Sequence, residues 1–188
     1  MTTDYAVNIQ SVYRRADESD VRDGMAWYGI AHDIAIESGD AWRGAGVLAC
    51  FSPRTRWPRN VINARRAWES GDAMSHSPSL HTRVMCGLAQ RILDGEHPLD
   101  VLKGDKTRSF AEAIATRGEG AIATVDCHAH DIAMARVCRE DERDLGKRNY
   151  RAIALAYAEV AEYNAVSVNR VQAVTWVRWK RERDGGVV

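Results

Sequence analysis

The sequence predicts an all-α protein, a bundle of about nine or ten helices. Apolar residues recur at helical spacing through most of its 188 residues, as they do on the buried faces of helices. Only Ala121–Val125 resembles a strand, and that run is short. No internal repeat and no linker interrupts the chain, so we predict a single domain over 1–188. Its core spans 41–138, and helices within 4–38 and 146–181 pack on that core.

The first three helices are predicted from apolar spacing and from capping residues. Asp4–Ala16 forms the first helix, and either Ser19 or Asp20 caps a second helix that ends at Glu37. The segment Ala41–Phe51 is apolar on nearly all sides. A helix of that kind is buried, so we expect it at the centre of the protein.

The middle of the chain alternates loops with helices. The loop Ser52–Arg59 leads into a helix, with Pro58 suited to its first turn. The serine-rich segment Gly71–Leu80 is expected to be an exposed loop. His81–Leu93 has the spacing of a helix, and Pro98–Leu102 is expected to form a single turn.

Four more segments complete the bundle. Helices are predicted from Lys106 to about Arg117 and from Asp126 to about Cys138. Residues 139–147 form a charged connection. Two further helices are then predicted over Asn149–Tyr163 and over Ser167–Arg181, where Ser167 is the cap.

Basic and acidic residues balance, at 26 each, so the net charge predicts no partner. The basic residues are nevertheless grouped along the chain. Residues 41–66 contain six arginines and no acidic residue, and Arg170–Arg183 has Glu182 as its one acidic residue. Such segments can present a basic face to a polyanion. A solvated helical surface has the same composition, so both interpretations stay open.

The cysteines and the apolar runs indicate the cellular compartment of the protein and whether it contacts a membrane. No CxxC spacing is present among the four cysteines, which are Cys50, Cys86, Cys127 and Cys138. A chain of this length does not need disulfide staples, and iron–sulfur ligands cluster more tightly. We therefore expect a reduced, intracellular protein of the cytoplasm with no metal ion and no cofactor. The N-terminus is polar, unlike a signal peptide, and no run approaches the ~20 apolar residues of a membrane span, so no membrane partner is expected.

The candidate site lies between Leu102 and Asp131. Lys106 and Asp126 are predicted at the starts of two consecutive helices, an arrangement that can direct both side chains to one point. Aspartate is also one of the best N-cap residues and can serve only to satisfy backbone N–H groups. The local pattern leaves both interpretations of Asp126 open.

Two motifs in this stretch carry a family resemblance. The sequence LKGDKT, Leu102–Thr107, is followed about twenty residues later by VDCH, Val125–His128. This pair resembles the LPGVGRKTA and VDTH motifs of the helix-hairpin-helix DNA glycosylase superfamily, which includes endonuclease III. The resemblance covers roughly residues 41–138, including the buried helix and loop over Val47–Pro53. It implies a glycosylase-like helical bundle with a clipped hairpin.

The resemblance assigns roles to individual residues. It makes Asp126 the carboxylate that stabilises positive charge on the sugar, or orients an attacking group, at an N-glycosidic carbon. Lys106 matches the amine nucleophile, which must be partly desolvated or held beside other cations to attack. His128 is expected to brace Asp126 or a backbone carbonyl. The hairpin would contact DNA through three residues, which are Lys103, Gly104 and Arg108.

The hairpin departs from the superfamily pattern. It is about two residues shorter and has one glycine, Gly104, followed by Asp105, whose negative charge stands where a phosphate would bind. Truncated hairpins of this kind look like the glycosylase-related enzymes of phage thymidine hypermodification. Those enzymes are proposed to couple an amino acid or amine to an activated 5-methyl pyrimidine in DNA without releasing the base. The resemblance implies a phage or phage-like source.

The loop before the fourth helix is a candidate DNA wedge. Its aromatic and basic residues are Arg54, Arg56, Trp57 and Arg59. An enzyme that acts on a duplex base must flip the base out and fill the gap. Trp57 could stack in that gap while the arginines hold phosphates of double- or single-stranded DNA. Anchoring of the loop to the core by Trp57 is an equal alternative.

Two other functions remain open. His81, with His128 and the pair His130–Asp131, suggests a metal phosphohydrolase of the HD type. However, His128 and His130 lie about 200° apart around a helix, so they cannot both face one metal ion. The scaffold could also serve as a non-catalytic DNA-binding module. We expect a DNA-acting enzyme, with glycosidic cleavage as first choice and base modification as second.

Overall fold

The computed structural model describes residues 4–74, 80–183 and 185, with only the backbone at 80–82. These residues form ten α-helices, one 3-10 turn and no β-strand. The predicted all-α class and number of helices are confirmed. The helices, in chain order, are α1 (Tyr5–Arg15), α2 (Glu18–Ile36), α3 (Ala41–Phe51), α4 (Trp57–Ser70), α5 (Leu80–Leu93), α6 (Pro98–Val101), α7 (Asp105–Ala115), α8 (Cys127–Ala133), α9 (Lys147–Tyr163) and α10 (Val168–Arg183).

The chain divides into two compact units. The terminal unit comprises Met1–Tyr28 and Gly118–Val188, and the central unit comprises Gly29–Arg117. The boundary between residues 28 and 29 falls within α2. The predicted core range, 41–138, contains residues of both units.

Helix α3 organises the central unit. It packs against α4, α5, α6 and α7, and every residue from Gly44 to Phe51 is buried. Asp40 caps the helix, because its side chain accepts a hydrogen bond from the N–H of Arg43 at 2.7 Å. A Cβ atom at Gly44 would lie 2.0 Å from the carbonyl oxygen of Ala35 in α2. Glycine is therefore required at this close approach, and α3 has the predicted bounds.

The terminal unit has its own core. Helices α1, α8, α9 and α10 pack against one another around fully buried side chains that include Ile9, Ile132, Ile153 and Tyr157. Burial of each large apolar side chain stabilises the fold by about 1.5–3 kcal/mol. These contacts fix the helix that carries Asp126.

The prediction for the end of α8 is wrong. The helix ends at Ala133 and not near Cys138, and Ala135 has a left-handed backbone with φ of 53°. The buried carboxylate of Asp131 accepts a hydrogen bond from the N–H of Cys138 at 3.2 Å. That bond draws the chain back towards α8, an effect that apolar spacing cannot reveal.

The predicted cap of α2 is also wrong. The helix begins at Glu18, and the side chain of Asp17 accepts a hydrogen bond from the N–H of Asp20 at 2.9 Å. The side chain of Asp20 in turn accepts from the N–H of Asp17 at 3.0 Å. Asp20 is fully buried, and its charge is compensated by ion pairs with two arginines of α10.

The run Ala121–Val125 is extended or bent and pairs with no strand in the described part of the chain. The hydroxyl group of Tyr150 lies 3.2 Å from both the carbonyl oxygen of Ala123 and the amide nitrogen of Val125. One side chain thus satisfies backbone groups that a neighbouring strand would otherwise pair.

Part of the predicted loop Gly71–Leu80 lies outside the described residues, at 75–79. Leu80 is already the first residue of α5. Helix α7 ends at Ala115, two residues before the predicted end, and α10 extends to Arg183. Across the described residues, no helix has both the length and the apolar character that a membrane crossing requires.

Candidate functional site

Asp126 caps helix α8 with one of its two carboxylate oxygens. Its Oδ1 accepts a hydrogen bond from the N–H of Ala129 at 2.9 Å, and its backbone is extended. Among the described residues, Oδ2 has no hydrogen-bond partner, and the side chain is half-buried. Asp126 can therefore cap the helix through Oδ1 and still interact with a substrate through Oδ2.

The charge of Asp126 acts electrostatically on two buried tyrosines, Tyr28 and Tyr157. Burial raises the pKa of Tyr28 and of Tyr157, and the negative charge of Asp126 adds to the rise in both pKa values. Both phenols therefore stay protonated at neutral pH. Tyr28 donates a hydrogen bond to Oε1 of Gln172 at 2.8 Å. The surroundings of Asp126 thus include neutral, buried polar groups.

His128 follows the cap by two residues and is half-buried. Its ring meets the indole of Trp176 edge to face, with centroids 6.4 Å apart. Its Nδ1 lies 3.4 Å from a guanidinium nitrogen of Arg183. Among the described residues no hydrogen bond joins His128 to Asp126, and the expected bracing of Asp126 or of a backbone carbonyl by His128 stays a prediction.

The protonation state of His128 follows from its surroundings. Burial lowers the pKa of His128, and the opposing effect of the Asp126 carboxylate is smaller. Its imidazole is therefore neutral at pH 7. A neutral ring has one lone pair, and because a guanidinium group only donates, the Nδ1 that faces Arg183 is the ring nitrogen that accepts.

The contribution of α10 to this surface was not predicted from the sequence. The Nζ atom of Lys180 lies 5.7 Å from the ring centroid of Trp176, in cation–π geometry. Trp176, Lys180 and Arg183 occur at positions i, i+4 and i+7, which place them on one face of a helix. That spacing was the signal in the sequence, but the packing of α10 against α8 was needed to bring this face to His128.

The clipped hairpin joins α6 to α7 in the central unit. Gly104 is the N-cap residue of α7, and Asp105, the first helical residue, is exposed. The ammonium group of Lys103 donates a hydrogen bond to the carbonyl oxygen of Asp100 at 2.6 Å. An acidic residue thus stands at the helix start, where phosphates bind in other proteins.

Arg108 is held by its own chain. Its guanidinium group is half-buried and donates hydrogen bonds to the carbonyl oxygens of Leu99 and of Leu102, the second at 3.0 Å. Arg108 therefore satisfies the end of α6 and fixes the hairpin. Its contact with DNA stays a prediction, as do those of Lys103 and Gly104.

Lys106 is the second residue of α7 and is half-buried. It belongs to the central unit, whereas Asp126 belongs to the terminal unit. Convergence of the Lys106 amine and the Asp126 carboxylate on one cleft stays a prediction.

The predicted loop Ser52–Arg59 ends earlier than expected, because α4 already begins at Trp57. Arg54 and Arg56 in the loop and Arg59 in the first turn of α4 are exposed. Trp57 is the first residue of α4 and is half-buried. Its ring packs edge to face on Phe110, with centroids 6.4 Å apart. This contact is the anchoring interaction that the sequence left open, and insertion of Trp57 into DNA stays a prediction.

A second polar cluster lies at the other end of α8. Asp131 is fully buried and forms two hydrogen bonds with Arg143, of 3.0 Å and 2.8 Å. Burial alone would raise the pKa of Asp131, but the hydrogen bonds from Arg143 and from the Cys138 N–H outweigh burial and lower that pKa. Asp131 is therefore ionised at neutral pH. The aspartate of the HD pair thus belongs to a buried ion pair.

The arrangement required for an HD-type phosphohydrolase is not assembled in the described residues. His128 lies near Asp126 and Cys127, whereas His130 lies near Asp131 and Cys138. This separation agrees with the angle of about 200° between the two histidines. The side chain of His81 lies outside the described residues.

The described residues define an all-α protein with a half-buried aspartate at the head of a short helix, beside an aromatic and cationic surface. A family model described as a family of unknown function, DUF7178, matches residues 1–183. The chain belongs to this family. No protein of curated function and no solved structure matches the chain.

Proposed function

We propose that this protein is a DNA-acting enzyme that flips a base out of the helix and acts at the N-glycosidic bond of that base. The position of Asp126 is the observation that carries the proposal. Its carboxylate stands at the start of α8, half-buried, with one oxygen committed to the helix and the other without a partner among the described residues. The glycosylase-like motifs around Lys106 and Asp126 support the same assignment.

The surroundings of Asp126 suit the stabilisation of a developing cation. Cleavage of an N-glycosidic bond places positive charge on the sugar, and a fixed carboxylate stabilises that charge. The neutral phenols of Tyr28 and Tyr157 do not compensate the charge of Asp126. A partly buried carboxylate also acts in a lower dielectric than water, which strengthens its interaction with the sugar.

Each unit carries groups that suit a nucleic acid. In the central unit, Arg54 and Arg56 lie just before α4 and Arg59 lies in its first turn; all three are exposed and suit phosphates. In the terminal unit, Trp176 and Lys180 form a half-buried aromatic and cationic pair near His128. Aromatic rings stack on bases that have left the helix.

Modification of the base without its release is the second candidate. The exposed carboxylate of Asp105 at the start of α7 favours it, because this charge opposes the phosphate contact that standard hairpins make. In this version the enzyme transfers an amino acid or amine to a 5-substituted pyrimidine in DNA, and the glycosidic bond stays intact. Both versions propose an enzyme that acts inside a bacterial cell and comes from a phage or a phage-like element.

One experiment separates the two versions. The protein is incubated with DNA that carries varied bases, including 5-substituted pyrimidines, with and without a mixture of amino acids and amines. The products are then digested to nucleosides for mass analysis. Abasic sites indicate a glycosylase, and a mass gain on an intact nucleoside indicates a transferase. The absence of any product on every DNA tested would contradict the proposed function.

The Asp126→Asn variant tests the carboxylate. Asparagine also caps helices well, so the variant keeps the fold and removes the charge. We expect the rate to fall by about 100-fold or more, while DNA affinity stays near the wild-type value. Asp4→Asn, a change at the cap of α1, is the matched control and should keep full activity. DNA binding without product in both wild type and Asp126→Asn would indicate a non-catalytic DNA-binding module.

Borohydride trapping tests whether the amine of Lys106 acts as a nucleophile. If Lys106 forms a Schiff base with an abasic sugar, reduction links the wild-type protein covalently to the DNA. Lys106→Gln should abolish the cross-link. Lys147→Gln removes an exposed ammonium group at the start of α9, and it should leave the cross-link intact.

A further inference from the structure

The buried end of α8 contains a histidine nitrogen without a partner. His130 is 2% exposed, and its Nδ1 forms no hydrogen bond. The nearest carboxylate oxygen, Oδ1 of Asp131, is 3.8 Å away, which is too far for a hydrogen bond. A buried polar atom without a partner destabilises the fold. A ligand bound to this nitrogen would remove that cost.

Two other donor groups surround the same point. A ring nitrogen of His130, a carboxylate oxygen of Asp131 and the Sγ atom of Cys138 all lie within 4.8 Å of one another. Tetrahedral zinc with bonds of about 2.0–2.3 Å separates its ligand atoms by roughly 3.3–3.8 Å. The observed spread therefore requires shifts of only about 1 Å to close around an ion.

We propose that His130, Asp131 and Cys138 bind a divalent cation of the Zn²⁺ class. The donor set contains nitrogen, oxygen and sulfur, which suits zinc and not Mg²⁺ or Ca²⁺. The three protein donors leave the fourth tetrahedral position to a water molecule. The bound ion would fasten Cys138, in the segment after α8, to the helix that carries Asp126.

Arg143 does not exclude the ion. A carboxylate offers about four acceptor positions, and Asp131 uses three of them, two for Arg143 and one for the N–H of Cys138. The position left for a cation is on Oδ2, because Oδ1 already accepts two hydrogen bonds. Carboxylates that bind metal ions commonly accept hydrogen bonds from a second shell of residues, and Arg143 fills that role here.

Zinc content tests the site directly. A tag-free chain purified without chelator should contain about one zinc per protein by elemental mass spectrometry. After the chain is stripped with chelator, added Zn²⁺ at about 100 times its Kd should raise the Tm by about 5–10 °C. Cobalt substitution should give the absorption of tetrahedral Co²⁺ with a thiolate band.

Matched variants separate this site from its neighbour on α8. Cys138→Ser and His130→Gln should each weaken zinc binding at least about 100-fold. The controls Cys127→Ser and His128→Gln change the other cluster and should keep wild-type zinc binding. If Cys138→Ser fails to fold, as judged by circular dichroism, His130→Gln decides the question, since glutamine preserves volume and polarity.

The Arg143→Gln variant distinguishes a metal site from a simple ion pair. Loss of the guanidinium group frees two acceptor positions on Asp131, so zinc should bind at least as tightly and raise the Tm of this variant more than that of wild type. A stripped wild-type chain that takes up no zinc, or equal zinc binding in Cys138→Ser, His130→Gln and both controls, would overturn the proposal. The outcome is independent of any activity on DNA.

Discussion

The hydroxyl group of Tyr150 lies 3.2 Å from the amide nitrogen of Val125, the residue that precedes the candidate catalytic Asp126. The same hydroxyl lies 3.2 Å from the carbonyl oxygen of Ala123. It therefore accepts one hydrogen bond from the backbone and donates another to it. A single buried side chain of α9 thus fixes the extended segment that delivers Asp126 to α8.

Replacement of Tyr150 by phenylalanine should loosen this segment. The variant leaves a buried N–H and a buried C=O without partners, and each loss costs about 1–3 kcal/mol. We expect the free energy of unfolding in urea to fall by roughly 2 kcal/mol or more. Tyr163→Phe is the control, because Tyr163 is 71% exposed, and it should change stability little. Equal stability of the two variants would contradict the role of Tyr150.

Helix α3 permits a test at Gly44. A Cβ at this position would lie 2.0 Å from the backbone oxygen of Ala35, which cannot move away as a side chain can. Gly44→Ala should therefore destabilise the protein by about 1–3 kcal/mol or more. Gly29→Ala, within α2, meets no atom within 4 Å and should stabilise by about 0.5–1 kcal/mol. Thermal unfolding should show a lower Tm than wild type for Gly44→Ala and a higher Tm for Gly29→Ala.

The sequence predicted elements whose boundaries depend on local pattern. Helix α3 begins at Ala41 and ends at Phe51 as predicted, because its apolar residues and its Asp40 cap are local signals. The end of α8 was mispredicted, because Asp131 accepts a hydrogen bond from Cys138, seven residues away. Side-chain bonds of this kind form only once the tertiary structure is in place.

In the candidate site, too, the features set by local sequence were predicted, and those set by tertiary packing were not. The place of Asp126 at a helix start was predicted from the residues around it, and the structure has it there. The contact between His128 and Trp176 joins residues 48 positions apart and depends on the packing of α8 against α10. The two hydrogen bonds of Arg108 to carbonyl oxygens were likewise invisible in a pattern of charges.

A buried acidic residue of α2 provides a third prediction. Asp20 is fully buried and pairs with Arg181 at 2.6 Å and with Arg178 at 3.4 Å. Asp20→Asn removes the buried charge that faces both arginines and should cost about 3–5 kcal/mol. Asp23→Asn also breaks a pair with Arg181, but Asp23 is 42% exposed and the cost should be about 0–1 kcal/mol. Similar urea midpoints for the two variants would contradict this account.

Glu182, whose side chain is 30% exposed, should make the stability of the fold depend on pH. Hydrogen bonds from Arg15 lower the pKa of Glu182, and a hydrogen bond from Arg178 lowers that pKa further, against a smaller opposing effect of burial.

A carboxyl group whose pKa is lower in the folded state stabilises the protein fully above its unfolded pKa of about 4.3, and that contribution is lost as pH falls through the folded pKa. Glu182→Gln should therefore be less stable than wild type by about 1 kcal/mol at pH 7, and the difference should shrink below about pH 4. Urea unfolding from pH 7 to pH 3 measures this convergence. Glu162→Gln changes an exposed glutamate of α9 and should follow wild type throughout. A stability difference between Glu182→Gln and wild type that stays constant over the whole pH range would show that the ion pairs of Glu182 do not stabilise the fold.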